Sequence, residues 1–163
     1  MENPLAVANY FIQKSMEIGE LLTPMKLVKL VYIAHGWYLG LTGEPLINEA
    51  VEAWKYGPVV PSIYHTFKNY GGSPISQTAS YITDSWQPVE YSLATPQLEP
   101  FLDRIWEVYH GYTGVELSAM THQNDTPWQQ IWESKGKFSL SETIPNDLIR
   151  VYYQTMANVP EPA

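Results

Sequence analysis

Apolar residues recur at helical spacing through the first forty positions. Leu5, Ala8, Phe11, Ile12 and Met16 share one face, and Asn3-Pro4 supplies an N-cap followed by proline in the first turn. Gly19 closes that segment. Thr23-Pro24 repeats the start signal, and Leu27, Leu30, Val31, Ala34, Tyr38 and Leu41 form the stripe of a second helix that ends near Gly43.

The period then changes. Val51–Tyr56 is rich in β-branched and aromatic residues and stops at Gly57-Pro58, which predicts a strand there. A strand needs a partner, and two stretches qualify, Tyr81-Ile82-Thr83 and Phe138-Ser139-Leu140; the pattern does not choose between them. Pro61–Tyr70 reads as a helix ended by Gly71-Gly72. Residues 73–95, rich in Ser, Thr and Pro, read as an irregular surface excursion. A helix follows on the face Leu98, Leu102, Ile105, Tyr109 and Tyr112, with Pro100 blurring its first turn. Thr113-Gly114-Val115-Glu116 is a capping box for a short helix, Thr126-Pro127 opens another that Gly136 closes, and Pro145 opens a last one through about Met156. The expected fold is mainly α (α+β): one compact helical domain over residues 1–163, with six to seven helices and a small antiparallel β-sheet.

Composition narrows the class. With 163 residues, 45% of them hydrophobic and 13% aromatic, the chain is a folding globule and not a disordered tail. No apolar run reaches the ~20 residues of a membrane span. Met1-Glu2-Asn3-Pro4 lacks the basic stretch and apolar core of a signal peptide, and there are no cysteines, so a cytoplasmic protein without disulfides or thiolate metal sites is expected. The net charge of −8 is uneven: residues 1–70 carry five lysines against six acids, and residues 71–163 carry four basic residues against eleven acids. So acidic a chain repels phosphate backbones, which argues against nucleic acid and favours, if any partner, a basic protein surface.

The residues offer no catalytic or metal constellation. His35, His65, His110 and His122 show no HExxH-type spacing and no cysteine joins them. GxSxG, P-loop and GxGxxG patterns are absent. The expectation is a non-enzyme without cofactor or metal.

Three stretches remain. Lys26 and Lys29 lie in the opening turns of the second helix, where a cation opposes the helix dipole. Either they form a basic spot for a partner, or their stems lie over apolar neighbours and their charges pair locally. In Trp54-Lys55-Tyr56, strand alternation would send Trp54 and Tyr56 to one face and Lys55 to the other. A buried aromatic face would anchor the sheet, and an exposed one would be an interface hot spot. Ser118-Ala119-Met120-Thr121-His122 with Pro127-Trp128 reads as a helix end and a new helix start, His122 being placed to hydrogen-bond the carbonyls left open at the first of these.

Taken in order, these stretches resemble the Panacea domain of SocA-like and GepA-like antitoxins of bacteria and phages. That pattern combines Lys-Leu-x-Lys-Leu-x-Tyr, Ala-Trp-x-x-Gly-Pro-Val, Leu-Ser-x-x-Thr-His and Pro-Trp, met here by Lys26–Tyr32, Ala53–Val59, Leu117–His122 and Pro127-Trp128, with Tyr152-Tyr153 in the closing helix. The similarity spans roughly residues 5–155 and none of its motifs falls in 73–95. It implies an antitoxin that binds and blocks a cognate toxin encoded beside it, without naming the toxin. Two further family-linked roles are an adaptor delivering the toxin to a protease and an operon autoregulator, the latter disfavoured because the matching region leaves no room for a helix-turn-helix. Lys26, Lys29, Tyr32, Trp54, Lys55 and Tyr56 are the expected partner-binding residues.

Overall fold

The computed structural model describes residues 1–136, 139 and 141–158. Seven α-helices are present among the described residues: α1 (Pro4–Glu17), α2 (Pro24–Thr42), α3 (Pro61–Phe67), α4 (Glu99–Tyr109), α5 (Gly114–His122), α6 (Pro127–Ile131) and α7 (Asn146–Ala157). Their starts are chemical. Asn3 Oδ1 accepts from the Leu5 N–H at 2.9 Å, Thr23 Oγ1 accepts from Lys26 N–H at 3.4 Å, and Thr113 and Glu116 close a reciprocal capping box at 3.1 Å each. Gly43, at φ +79°, ends α2 in the left-handed cap that glycine adopts without strain. A 3-10 turn (Lys68–Tyr70) extends α3, and a π turn (Trp132–Gly136) extends α6 to the glycine that was expected to close it.

The second helix is more than the edge of a core. Fourteen of its nineteen residues are buried, so it is wrapped on nearly every side, and α7, α5, α1, α3 and α4 all pack on it. Leu27, Leu30, Val31 and Ala34 of the expected stripe are fully buried, whereas Leu41 is exposed. The closest crossing is with α7. There Gly36 and Gly40 leave room for Tyr153, whose ring meets Trp37 and Tyr32 edge-on with centroids 5.3 and 6.3 Å apart. His35, fully buried, meets Asn146 Oδ1 through Nε2 at 3.0 Å; burial lowers its pKa, so it is a neutral core histidine at the foot of α7.

The sheet differs from the expectation in two ways. The first strand, β1 (Val51–Trp54), stops at Trp54, and Gly57-Pro58 is not a terminator but the start of its return strand β2 (Gly57–Val59). Trp54 pairs with Gly57, leaving Lys55 and Tyr56 as the two-residue turn of a hairpin. Alternation therefore does not apply to Lys55 and Tyr56, because neither belongs to a strand. The second neighbour of β1 is not the Tyr81-Ile82-Thr83 stretch offered by the sequence. Tyr81 and Ile82 lie in β3 (Ser80–Ile82), which pairs with β4 (Pro88–Glu90) in a separate hairpin. Phe138 and Leu140 lie outside the described residues. β1 is instead flanked by β5 (Glu142–Ile144), in register Val51↔Ile144 and Ala53↔Glu142, giving the antiparallel order β2-β1-β5.

The surface excursion at 73–95 is held more firmly than its composition suggests. Buried Asn9 of α1 donates through Nδ2 to the carbonyls of Ala79 and Tyr91 (2.8 and 2.9 Å) and accepts from the Ala79 N–H (2.8 Å), pinning both ends of the β3–β4 hairpin. Buried Glu2 accepts from the N–H groups of Ala94 and Thr95 at 2.7 and 3.1 Å. Asn9→Ala orphans three backbone groups at once, so it is expected to cost about 2–4 kcal/mol and to open residues 79–91 to protease. Urea unfolding with limited proteolysis checks this; wild-type resistance in the variant would mean that the hairpin is held by other contacts.

Candidate partner-binding site

Three helices converge on the β1–β2 hairpin, and each contributes one side-chain donor. Lys29 Nζ of α2 donates to the Pro58 carbonyl at 2.8 Å, Ser118 Oγ of α5 to the Tyr56 carbonyl at 2.8 Å, and Trp128 Nε1 of α6 to the Trp54 carbonyl at 2.6 Å. The acceptors are carbonyls two residues apart along one run of chain. The separated stretches singled out in the sequence are thus parts of one device: the lysine, serine and tryptophan lie far apart in the chain and clamp the same five residues. Gly57 completes it. It takes φ +117°, and a Cβ built there would lie 2.8 Å from Lys29 Nζ, so a side chain would clash with the amine that reaches Pro58.

The clamp fixes the roles of the predicted residues. Lys29 is 3% exposed with no carboxylate paired to it among the described residues, and burial lowers its pKa to about 7. Lys26 is also buried, and its Nζ donates to the His110 carbonyl at the end of α4, satisfying an open helix-end acceptor; burial lowers its pKa while nearby Glu20 opposes that shift. Neither lysine is a surface charge. Tyr32 is 1% exposed and packs within the core. Trp54 is half-buried, Lys55 is exposed, and Tyr56 is 66% exposed at the hairpin turn. His122 does not take the helix-end carbonyls. Its Nδ1 lies 3.4 Å from Ser118 Oγ and its ring is edge-on to Trp128, while Thr121 Oγ1 donates to the carbonyls of Leu117 and Ser118.

Beside the hairpin lies a groove of about 500 Å³ between α2, the hairpin and the end of α3. It brings together Lys29, Trp54, Lys55 and Tyr56 of the expected set, but neither Lys26 nor Tyr32. Its remaining lining includes Met25, Tyr64 and Lys68, which sequence reasoning did not assign to the site. A signal existed for two of them: Tyr64 on α3 and Lys68, four residues on at the start of the 3-10 turn that extends it, stand at helical spacing. Trp54 stands as a wall of the groove, with Tyr64 edge-on at 4.8 Å and its indole N–H donating to Glu52 Oε1 at 3.0 Å. Met25, Tyr56 and Tyr64 are 42%, 66% and 39% exposed, so large apolar side chains meet solvent around one concavity. No three of His, Cys, Asp or Glu are placed to hold a metal among the described residues, and no described helix is long and apolar enough to cross a membrane.

Residues 27–129 match the family model described as "Antitoxin SocA-like, Panacea domain", a segment that contains the whole clamp from Lys29 to Trp128. The chain belongs to the SocA-like antitoxin family with the Panacea domain. Antitoxin SocA of Caulobacter vibrioides (strain NA1000 / CB15N) is 30% identical over 134 residues, covering 80% of this chain and 71% of that protein. No solved structure matches the chain. Membership supports an antitoxin role for the Panacea domain described here, and the motifs that carry the resemblance are the ones that build and hold its hairpin.

Proposed function

We propose that this protein neutralises a cognate toxin by direct protein–protein binding, without catalysis, using the hairpin turn and the groove beside it. The observation that carries this is the concentration of exposed Tyr56, Tyr64 and Met25 with Lys55 and Lys68 around one concave site on a clamped hairpin. Aromatic residues on rigid support bind at low entropic cost, which is why they dominate interface energetics. The burial of Lys26 and Lys29 also supports this over a nucleic-acid role, because it takes both lysines of the possible basic spot on α2 away from the surface.

The test is co-expression of the tagged protein with the products of its immediate genomic neighbours. A stoichiometric complex with a growth-inhibiting protein, and rescue of growth, is the expected result; a folded protein that captures none of them and rescues nothing overturns the reading. Within such a complex, Tyr56→Ala is expected to weaken binding at least about tenfold, a hot-spot loss of roughly 1.4 kcal/mol or more. Its melting temperature is expected to stay near that of the wild type, because the side chain is solvent-facing. Calorimetry of the complex and thermal unfolding of the free variant separate the two quantities. A destabilised variant with unchanged affinity would make Tyr56 structural.

A further inference from the structure

The groove carries a charge pattern opposite to that of the molecule. Three of the eight described Lys and Arg residues, Lys29, Lys55 and Lys68, line it, whereas none of the sixteen described acidic residues does. In a chain of net charge −8 this is a local reversal of sign at a site where aromatic side chains are also gathered. The carboxylate that approaches from outside, Glu52, is taken up by the Trp54 indole N–H. Lys55 and Lys68 are exposed at the rim, and the Lys55 amine sits 5.4 Å from the centre of the Tyr56 ring. Lys29 lies beneath, buried, donating to a single carbonyl among the described residues although an ammonium has three N–H bonds to give.

Resting on the antitoxin reading, we propose that the groove recognises an acidic–aromatic segment of the partner polypeptide, its carboxylate lying among Lys68, Lys55 and Lys29 and its ring against Trp54 and Tyr64. Both halves of that match are present at one place: two exposed lysines with no described carboxylate beside them in the groove lining, and an aromatic wall pre-set by the Trp54–Tyr64 edge contact. A carboxylate placed beside Lys29 favours its protonated form and so opposes the burial that lowers its pKa, while exposed Lys55 and Lys68 carry the standing positive charge. A basic or purely apolar segment meets unpaired cations, so the groove selects against the basic surfaces that the molecule's overall charge attracts.

The probes are three capped peptides, acetyl-Glu-Phe-Glu-Leu-amide and its Gln-Phe-Gln-Leu and Lys-Phe-Lys-Leu counterparts, titrated into the 15N-labelled full chain. The acidic peptide is expected to shift the amides of Val28, Lys29, Trp54–Gly57 and Lys68, to bind at least about tenfold more tightly than the glutamine peptide, and to weaken as salt rises. Lys55→Gln/Lys68→Gln, with both changes at exposed positions, is expected to abolish that preference while leaving the melting temperature unchanged. Equal affinity for the acidic and glutamine peptides, or shifts elsewhere on the protein, overturns the proposal. Self-association that saturates the same amides, and is removed by Asp84→Asn/Trp86→Ala on the exposed β3–β4 turn, also overturns it by making a second copy the occupant. A toxin complex that survives Lys55→Gln/Lys68→Gln unchanged sinks the groove assignment and leaves the antitoxin reading standing, whereas peptide binding without any toxin complex does the reverse.

Discussion

Gly40→Val is expected to lower the unfolding free energy by about 3 kcal/mol or more, equivalent to a fall of roughly 8 °C in Tm for a chain of this size. A Cβ built on Gly40 lies 2.8 Å from both the carbonyl carbon and the Cβ of Tyr153 and 2.9 Å from the Gln154 nitrogen. Two of these are backbone atoms of α7, which cannot swing aside as the end of a side chain does, so the whole helix must move off α2. Tyr153 is 4% exposed and anchors that contact, so the displacement opens the core. Local propensity points the other way, since replacing a mid-helix glycine gains a few tenths of a kcal/mol to about 1 kcal/mol. The sign of the measured change therefore decides between a packing role and a merely permissive glycine. Gly72→Ala is the control: nothing lies within 4 Å of its Cβ position, and it is expected to be neutral or slightly stabilising. Chemical denaturation of both variants gives the comparison, and a Gly40 variant as stable as wild type would refute the close α2–α7 approach.

The second large effect is the part of the pH dependence of stability that Lys29 introduces. Burial holds its folded-state pKa at about 7, against an ordinary value of 10.5. Between these values the unfolded chain binds the proton that the folded chain has released, so the folded state gains stability as pH rises through the window. The contribution is at its least favourable below about pH 7, and the separation is worth about 4–5 kcal/mol when fully developed. Lys29→Met, close in volume, removes the titration. It is expected to flatten the rise in unfolding free energy between pH 7 and 10 relative to wild type, and to be relatively most stable at the acid end. It also leaves the Pro58 carbonyl without its donor, a fixed loss of about 1–3 kcal/mol that shifts the curve without tilting it. The comparison belongs below pH 10, because Tyr32 and Tyr153, both raised by burial, oppose folding in either protein once unfolded tyrosines ionise. Urea titrations at several pH values measure the slope, and parallel curves for the two proteins would show that Lys29 keeps its proton in the fold.

The legible parts of this protein were those written in a few adjacent residues. Asn3-Pro4, Thr23-Pro24, the capping box at Thr113–Glu116 and Gly43 each act on hydrogen bonds within one turn, so helix starts and the end of α2 follow from them directly. The same holds for the change of period at Val51, and for the family itself, whose motifs are strings of neighbours. Lys26 and Lys29 show the limit. As sequence they are two cations on a helix face, and their spacing is the same whether that face meets water or protein. α5, the β1–β2 hairpin and the end of α4 cover them, and no local rule announces that cover. The strand pairing failed for a related reason: Gly57-Pro58 punctuates the chain equally well as an end or a reversal, and only pairing with β1 makes it a return strand.

What the sequence determined by itself is the helical framework, the location of one strand and the membership in an antitoxin family. What only the tertiary structure decided is which residues face a partner. It turned Lys26, Lys29 and Tyr32 inward, left Lys55 and Tyr56 at an exposed turn, and added Met25, Tyr64 and Lys68 to the same groove. The physical reason is range. Capping, turn formation and periodicity are set by neighbours in the chain, whereas exposure is set by whichever distant segment packs against a face, and here donors from α2, α5 and α6 fix that outcome together.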